Sequence, residues 1–203
     1  MTVPRWALAS AIAAPVAMIG GWTLAAARQP SFDPVQETIS ALAASTATDP
    51  WIMTAGLAIT GVAHVVTAAG LRPVPRGARV LHAIGGAATL AVALLPVDSA
   101  PRAHGIAAGI GFGALALWPA LAARRGATGV LRPAVTVGAS VGLVGLLGWF
   151  VVELQGAGDL TGLSERAVAG AQAVWPLVVV VALRRTRQPR RSTRMSNAWS
   201  HPS

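Results

Sequence analysis

Apolar runs long enough to cross a bilayer, separated by polar breaks, dominate the chain. A spanning helix needs about 20 mostly apolar residues, and six stretches qualify: Trp6–Ala27, Trp51–Leu71, Val80–Pro96, Ala103–Ala122, Pro133–Leu154 and Ala167–Leu183. The breaks after spans two to five are short, which makes successive helices antiparallel neighbours. The pattern predicts an all-α fold, a polytopic membrane bundle of six transmembrane helices over 1–183. An Arg-rich tail follows over 184–203, expected to be disordered.

One connection is long, Arg28–Pro50. Asp33 is a good N-cap there, Pro34 suits the first helical position, and Gln36 completes a variant of the capping box. Val35, Ile39 and Leu42 recur at i, i+4 and i+7. A helix over about 34–44 is therefore expected, lying on the bundle surface or in the headgroup layer.

Composition agrees with a membrane class. Of 203 residues 54% are hydrophobic and 11% charged, where soluble domains carry about a quarter charged residues. The absence of Cys excludes a disulfide scaffold, and the apolar content excludes disorder. A net charge of +9 would suggest nucleic acid only if the basic residues formed one face of a soluble fold. They do not, so no nucleic-acid partner is expected and membrane lipids are.

Charge supplies direction. With the N-terminus cytoplasmic, all but three of the 16 basic residues, every one an Arg, fall inside, leaving Arg28, Arg102 and Arg166 outside. All seven acids (Asp33, Glu37, Asp49, Asp98, Glu153, Asp159 and Glu165) lie outside or at the outer edge. This is the positive-inside bias, and it places both termini in the cytoplasm. Trp6 and Trp118 fall near the inner boundary, and Trp22, Trp51 and Trp149 near the outer one, as in an aromatic belt. Trp175 lies deep in span six. Ala25-Ala26-Ala27 looks like a signal-peptide cleavage site, but the preceding apolar run exceeds the usual 7–15-residue core, so span one is expected to be retained. The tail Arg cluster reads as a stop-transfer anchor against anionic headgroups.

In lipid, helices associate through small residues and interhelical hydrogen bonds. Gly105, Gly109 and Gly113 on span four and Gly138 and Gly142 on span five predict tight packing of those two helices. Pro15, Pro119 and Pro176 lie inside spans, where kinks are expected. On span two, Thr60, His64 and Thr67 share a face and read as an interhelical hydrogen-bond ladder. Counted from the span ends, His64 and His82 differ in depth by roughly 6 Å, which with the lack of a second pair argues against haem. No His spacing suits zinc, and no metal or cofactor is expected.

The outer edge is chemically richer. Asp98, Arg102 and His104 flank the turn between spans three and four, Glu153 ends span five, and Glu165 and Arg166 open span six. Glu37, Thr38 and Ser40 lie on the loop above. A carboxylate, an imidazole and a guanidinium converging there suit a polar headgroup, and an Asp–His pair beside a hydroxyl suits general-base chemistry.

Three segments, DPVQETISALAA in the first outer loop, LLPVDSAPRAHG across the next outer turn and GLSERAVAG entering span six, resemble the bacterial membrane family filed as domain of unknown function 998. The resemblance covers roughly Trp6 to Leu183. It implies a six-helix integral membrane protein and no established activity, with Ser40, Asp98, His104, Glu165 and Arg166 as the family-like residues.

The leading expectation is a protein of a bacterial plasma membrane that binds a lipid or small molecule at an outward polar site of Ser40, Asp98, His104, Glu165 and Arg166. The alternatives are a lipid-modifying hydrolase or transferase built on Asp98 and His104, with Ser40 or Ser99 as nucleophile, and a small transporter or accessory protein. Neither serine sits in a G-x-S-x-G motif, and no carboxylate lies near the midplane for proton coupling.

Overall fold

The computed structural model describes residues 2–156 and 158–186. The tail expected to be disordered lies beyond them, apart from Arg184, Arg185 and Thr186. Six helices cross the molecule: α1 (Arg5–Arg28), α2 (Trp51–Gly70), α3 (Arg76–Leu94), α4 (Pro101–Leu121), α5 (Pro133–Gln155) and α6 (Thr161–Arg185). Short 3-10 turns occupy Ser40–Ala43 and Gly129–Leu131, and there is no strand among the described residues. At 1.5 Å per residue, helices of 19 to 25 residues span about 28–37 Å, enough for a hydrocarbon layer of about 30 Å. All six are apolar enough to cross a membrane. Their outward faces carry exposed aliphatic side chains such as Val16, Val141 and Val152, which only lipid would cover.

Each helix packs on its neighbours in sequence, and α6 closes the ring against α1. An even number of crossings returns the chain to the side where it began, and Arg184 Nη1 donates to the Val3 carbonyl at 2.7 Å. We call this side, with Arg72, Arg76, Arg79, Arg124, Arg125 and Arg132, the Arg-rich end. The opposite, acidic end carries the seven carboxylates. One buried apolar cluster, with Leu42, Met53, Leu57 and Val92, lies toward the acidic end. A second, with Leu71, Leu115, Trp118 and Val180, lies toward the Arg-rich end.

Glycines set the tightest approaches, at positions other than those expected. A Cβ at Gly61 on α2 would lie 2.6 Å from the Leu90 nitrogen and 2.7 Å from the Gly86 carbonyl oxygen on α3, and one at Gly86 would lie 2.7 Å from the Gly61 oxygen. Gly21 and Gly56 do the same for α1 and α2, with a Cβ at Gly56 falling 2.9 Å from the Ala17 oxygen. The ridges Gly105–Gly109–Gly113 and Gly138–Gly142 face open space, nothing lying within 4 Å of a Cβ built there. A missing Cβ admits a neighbouring backbone only where a helix is pressed against it; elsewhere it leaves a furrow.

Two helix starts differ from the apolar pattern. α3 begins at Arg76 rather than Val80, because Arg79 turns back and donates to the Ala68 and Ala69 carbonyls at 2.8 and 2.9 Å. That contact satisfies the open C-terminus of α2 and keeps a charged first turn helical. α6 begins at Thr161 rather than Ala167, so Glu165 and Arg166 lie on a helix, not ahead of one. Trp118 keeps its expected depth toward the Arg-rich end but faces inward rather than into a belt: it is fully buried and stacks on His82, ring centroids 4.6 Å apart. Trp6 and Trp51 are exposed.

The prediction from this packing is selective. Gly61→Ala should destabilise the protein by about 1–3 kcal/mol, the usual range for overpacking, whereas Gly138→Ala should be neutral or slightly stabilising. Thermal unfolding of the two variants in detergent, compared with the parent, checks it.

Candidate functional site

The first long connection does not form the helix expected over 34–44. Asp33 caps one turn, its Oδ1 accepting the Val35 N–H at 2.8 Å and its carbonyl the Glu37 N–H at 2.7 Å. The chain then opens. An α-helix would spend the Val35, Gln36 and Glu37 carbonyls on residues four positions later. Here α6 takes them: Leu163 N–H donates to the Val35 carbonyl at 2.9 Å, Gly162 N–H to Gln36 at 3.2 Å, and Arg166 Nη1 to Glu37 at 2.8 Å. A helix N-terminus presents unpaired N–H groups, and this loop caps them from another part of the chain. Gly162 is required, since a Cβ there would collide with the Glu37 carbonyl.

Glu165 completes the dock one turn further into α6. Its Oε2 accepts the Ile39 N–H at 2.5 Å, and its Oε1 stands 3.5 Å from Ser40 Oγ. Glu165 is buried, 5% exposed, and the loop amide is its closest partner. Ala41 N–H donates to Thr38 Oγ1 at 3.2 Å, so the backbone is held on both sides of Ser40.

His104, on the first turn of α4, reaches Ser40 from the other side. Its Nδ1 lies 2.7 Å from the Leu95 carbonyl and its Nε2 3.0 Å from Ser40 Oγ. A carbonyl only accepts, so Nδ1 carries a proton, and in that tautomer the bare Nε2 accepts from the serine hydroxyl. The Leu95 carbonyl is free for this because α3 ends at Leu94, just before Pro96.

Of the five residues singled out by sequence, Ser40, His104 and Glu165 come together. Asp98 joins no histidine: it is exposed and accepts the Ser45 hydroxyl at 2.5 Å, pinning the loop to the α3–α4 turn. Arg166 spends Nη1 on the Glu37 and Gly162 carbonyls and lies over the Phe32 ring, 5.4 Å from its centroid. Both hold the loop. The general-base pairing of Asp98 with His104 is therefore replaced by His104 on a main-chain carbonyl.

Two spaces meet at this trio. A groove of about 450 Å³ runs between α4 and α5, walled by residues such as Gly105, Gly109, Phe112, Leu147, Phe150 and Leu154, with Thr38, Ser40, His104 and Glu165 at its polar end. It is the furrow left by the α4 glycine ridge. A smaller cavity of about 50 Å³ lies inside the bundle, touching Ser40, Glu165, Thr60, Thr89, Gln172 and His64. That space holds a few waters at most.

Sequence reasoning missed the partner of His64. Its Nδ1 lies 3.0 Å from His82 Nε2; with α3 starting at Arg76, both rings sit at one depth. His82 Nδ1 is buried with no partner. A bare acceptor costs less there than an orphaned N–H, so His82 Nε2–H is assigned as donor and His64 Nε2–H is left facing the cavity. The rest of the α2 face is a ladder, Thr67 donating to Ser10 Oγ at 3.1 Å, Ser10 to the Ala63 carbonyl at 2.7 Å and Thr60 to Gly56 at 2.7 Å.

Six apolar crossings and a closed ring of helices define a multi-pass membrane helical bundle. Within that class the chain belongs to the DUF998 family, proteins of unknown function, whose family model matches residues 11–182. No curated protein and no solved structure gives a significant match to the chain.

Gly162→Ala should detach the docked loop and expose Ser40, read as faster proteolysis between residues 33 and 45 in a protein that keeps its helical circular dichroism. At the neighbouring turn, Ser45 donates to Asp98 and holds its carboxyl below the ordinary value. A carboxyl depressed on folding stabilises the fold above its unfolded pKa, and that contribution is lost as pH falls through the folded value. Ser45→Ala should therefore raise the Asp98 titration towards the ordinary carboxylate range, as followed by carbon-13 resonance of the side chain.

Proposed function

We propose that the protein binds one amphiphile from the surrounding bilayer, its aliphatic chain in the α4–α5 groove and its polar end at Ser40, His104 and Thr38. The observation that carries this reading is the joining of an apolar furrow on a lipid-facing surface to a cluster of oriented hydrogen-bonding groups at one end. Ligand sites are typically apolar clefts of about 300–1,000 Å³ with a few placed polar groups. Glu165 stands at the polar end, Arg166 does not line the groove, and the acids gather at this side of the bundle. These features favour a neutral hydroxyl or ester head over a phosphate, whose charge would meet the Glu165 carboxylate in a groove lined by no Arg. By the positive-inside bias the acidic end faces outward, so the ligand comes from the outer leaflet of a plasma membrane.

Gly109 supplies the test, because a side chain there enters the groove without touching the packed helices. Gly109→Leu should lower the amount of co-purifying amphiphile at least about tenfold, in line with about 1.4 kcal/mol or more of lost affinity. Gly138→Leu, whose Cβ also meets open space but outside the groove, should retain it. Native mass spectrometry with lipid identification reads both, and equal occupancy in the two variants would refute the groove as the site.

A further inference from the structure

The contacts around Ser40 match the requirements of a nucleophile more closely than those of a passive ligand. We propose that Ser40 Oγ attacks the acyl carbonyl of the bound amphiphile with His104 as general base, so that the protein cleaves an acyl ester. The inference rests on the amphiphile reading of the groove and adds a covalent step to it.

Geometry carries the argument. A serine hydroxyl becomes nucleophilic when a base within about 2.6–3.2 Å takes its proton and a third group orients that base. His104 Nε2 is 3.0 Å from Ser40 Oγ, and the Leu95 carbonyl, 2.7 Å from Nδ1, fixes both tautomer and ring direction. The same carbonyl stabilises the imidazolium that forms, the part a carboxylate plays in Ser-His-Asp sites. Glu165 is not the base: its nearer oxygen stands 3.5 Å from Oγ, and its other oxygen is taken by Ile39 N–H. It is a positioning residue that fixes the backbone before Ser40. Ser40, His104 and Thr38 all line the polar end of the groove, so an ester carbonyl at the head of a buried chain reaches Oγ. Thr38 Oγ1 accepts from Ala41 N–H and donates to nothing among the described residues, which leaves its proton for the oxyanion.

The step balances with water as the only co-reactant. Oγ bonds to the carbonyl carbon as its proton passes to His104 Nε2. The ester C–O bond breaks, and the leaving alcohol takes that proton. Water, deprotonated by Nε2, then attacks the Ser40 ester, releasing a carboxylic acid and restoring the hydroxyl. The net reaction converts ester and water into acid and alcohol.

Full-length protein in nanodiscs, treated with a long-chain alkyl fluorophosphonate, tests this whichever ester is the natural substrate. One adduct on Ser40 is expected by peptide mass spectrometry, absent in Ser40→Ala, at least tenfold slower in His104→Ala, and unchanged in Ser99→Ala. In the parent protein the labelling rate should rise with pH, and His104→Ala, which keeps Glu165 beside Ser40, should lack that rise, a difference that a merely structural His104 would not produce. A folded parent that carries amphiphile but leaves Ser40 unlabelled overturns the nucleophile and spares the binding reading. Absence of both amphiphile and adduct overturns the two together. Equal labelling of the parent and His104→Ala, with a flat pH profile, overturns the role of His104.

Discussion

The organisation of the acidic end depends on an exchange of hydrogen bonds between the first long loop and the start of α6. Each partner arrives with unmet needs: the helix with free N–H groups, the loop with carbonyls no regular element uses. Joining them satisfies the Gly162 and Leu163 N–H groups and Arg166 Nη1 on one side and the Val35, Gln36 and Glu37 carbonyls on the other. Glu165 then extends the dock to Ile39, which fixes the backbone next to Ser40. Gly162 and Ile39 are buried, and an unpaired backbone group there is costly, so these bonds act as one unit. The position of Ser40 against His104 is a consequence of that unit.

The same constraint governs the interior. A polar side chain inside a bilayer must find a partner or a wet cavity. Ser10, Thr60 and Thr67 do so along the α1–α2 seam, and His64 does so across the α2–α3 seam. That last contact is possible only because Gly61 and Gly86 bring two backbones together. Glycine has the opposite consequence on α4, where no helix presses against Gly105 and Gly109 and the missing side chains become a groove. Whether a small-residue ridge makes an interface or a ligand channel is decided by the helix opposite it.

These cases show where the chain could be read directly. Six crossings and the segregation of Arg from acids are written in local composition, because hydrocarbon thickness fixes span length and each charge is costly in lipid whatever its neighbours. Ser40, His104 and Glu165 stood out as polar groups at a membrane edge. Asp98 and Arg166 bond to the same loop at Ser45 and Glu37 instead; proximity along the chain and at one end of a bundle does not state which atoms meet. The helix expected over 34–44 had sound capping and periodicity, and it lost to α6, whose N–H groups made a better use of the same carbonyls.

By itself, then, the sequence determined the number of spans and the division of charge between the two ends, because both answer to the bilayer one segment at a time. Tertiary structure alone decided the pairing of His64 with His82, the tautomer of His104, the separation of Asp98 from the site and the conversion of a glycine ridge into a groove. Each of these depends on which atoms come within hydrogen-bonding or packing distance once the helices have met. Helix register and loop docking set such distances, and no local pattern encodes them.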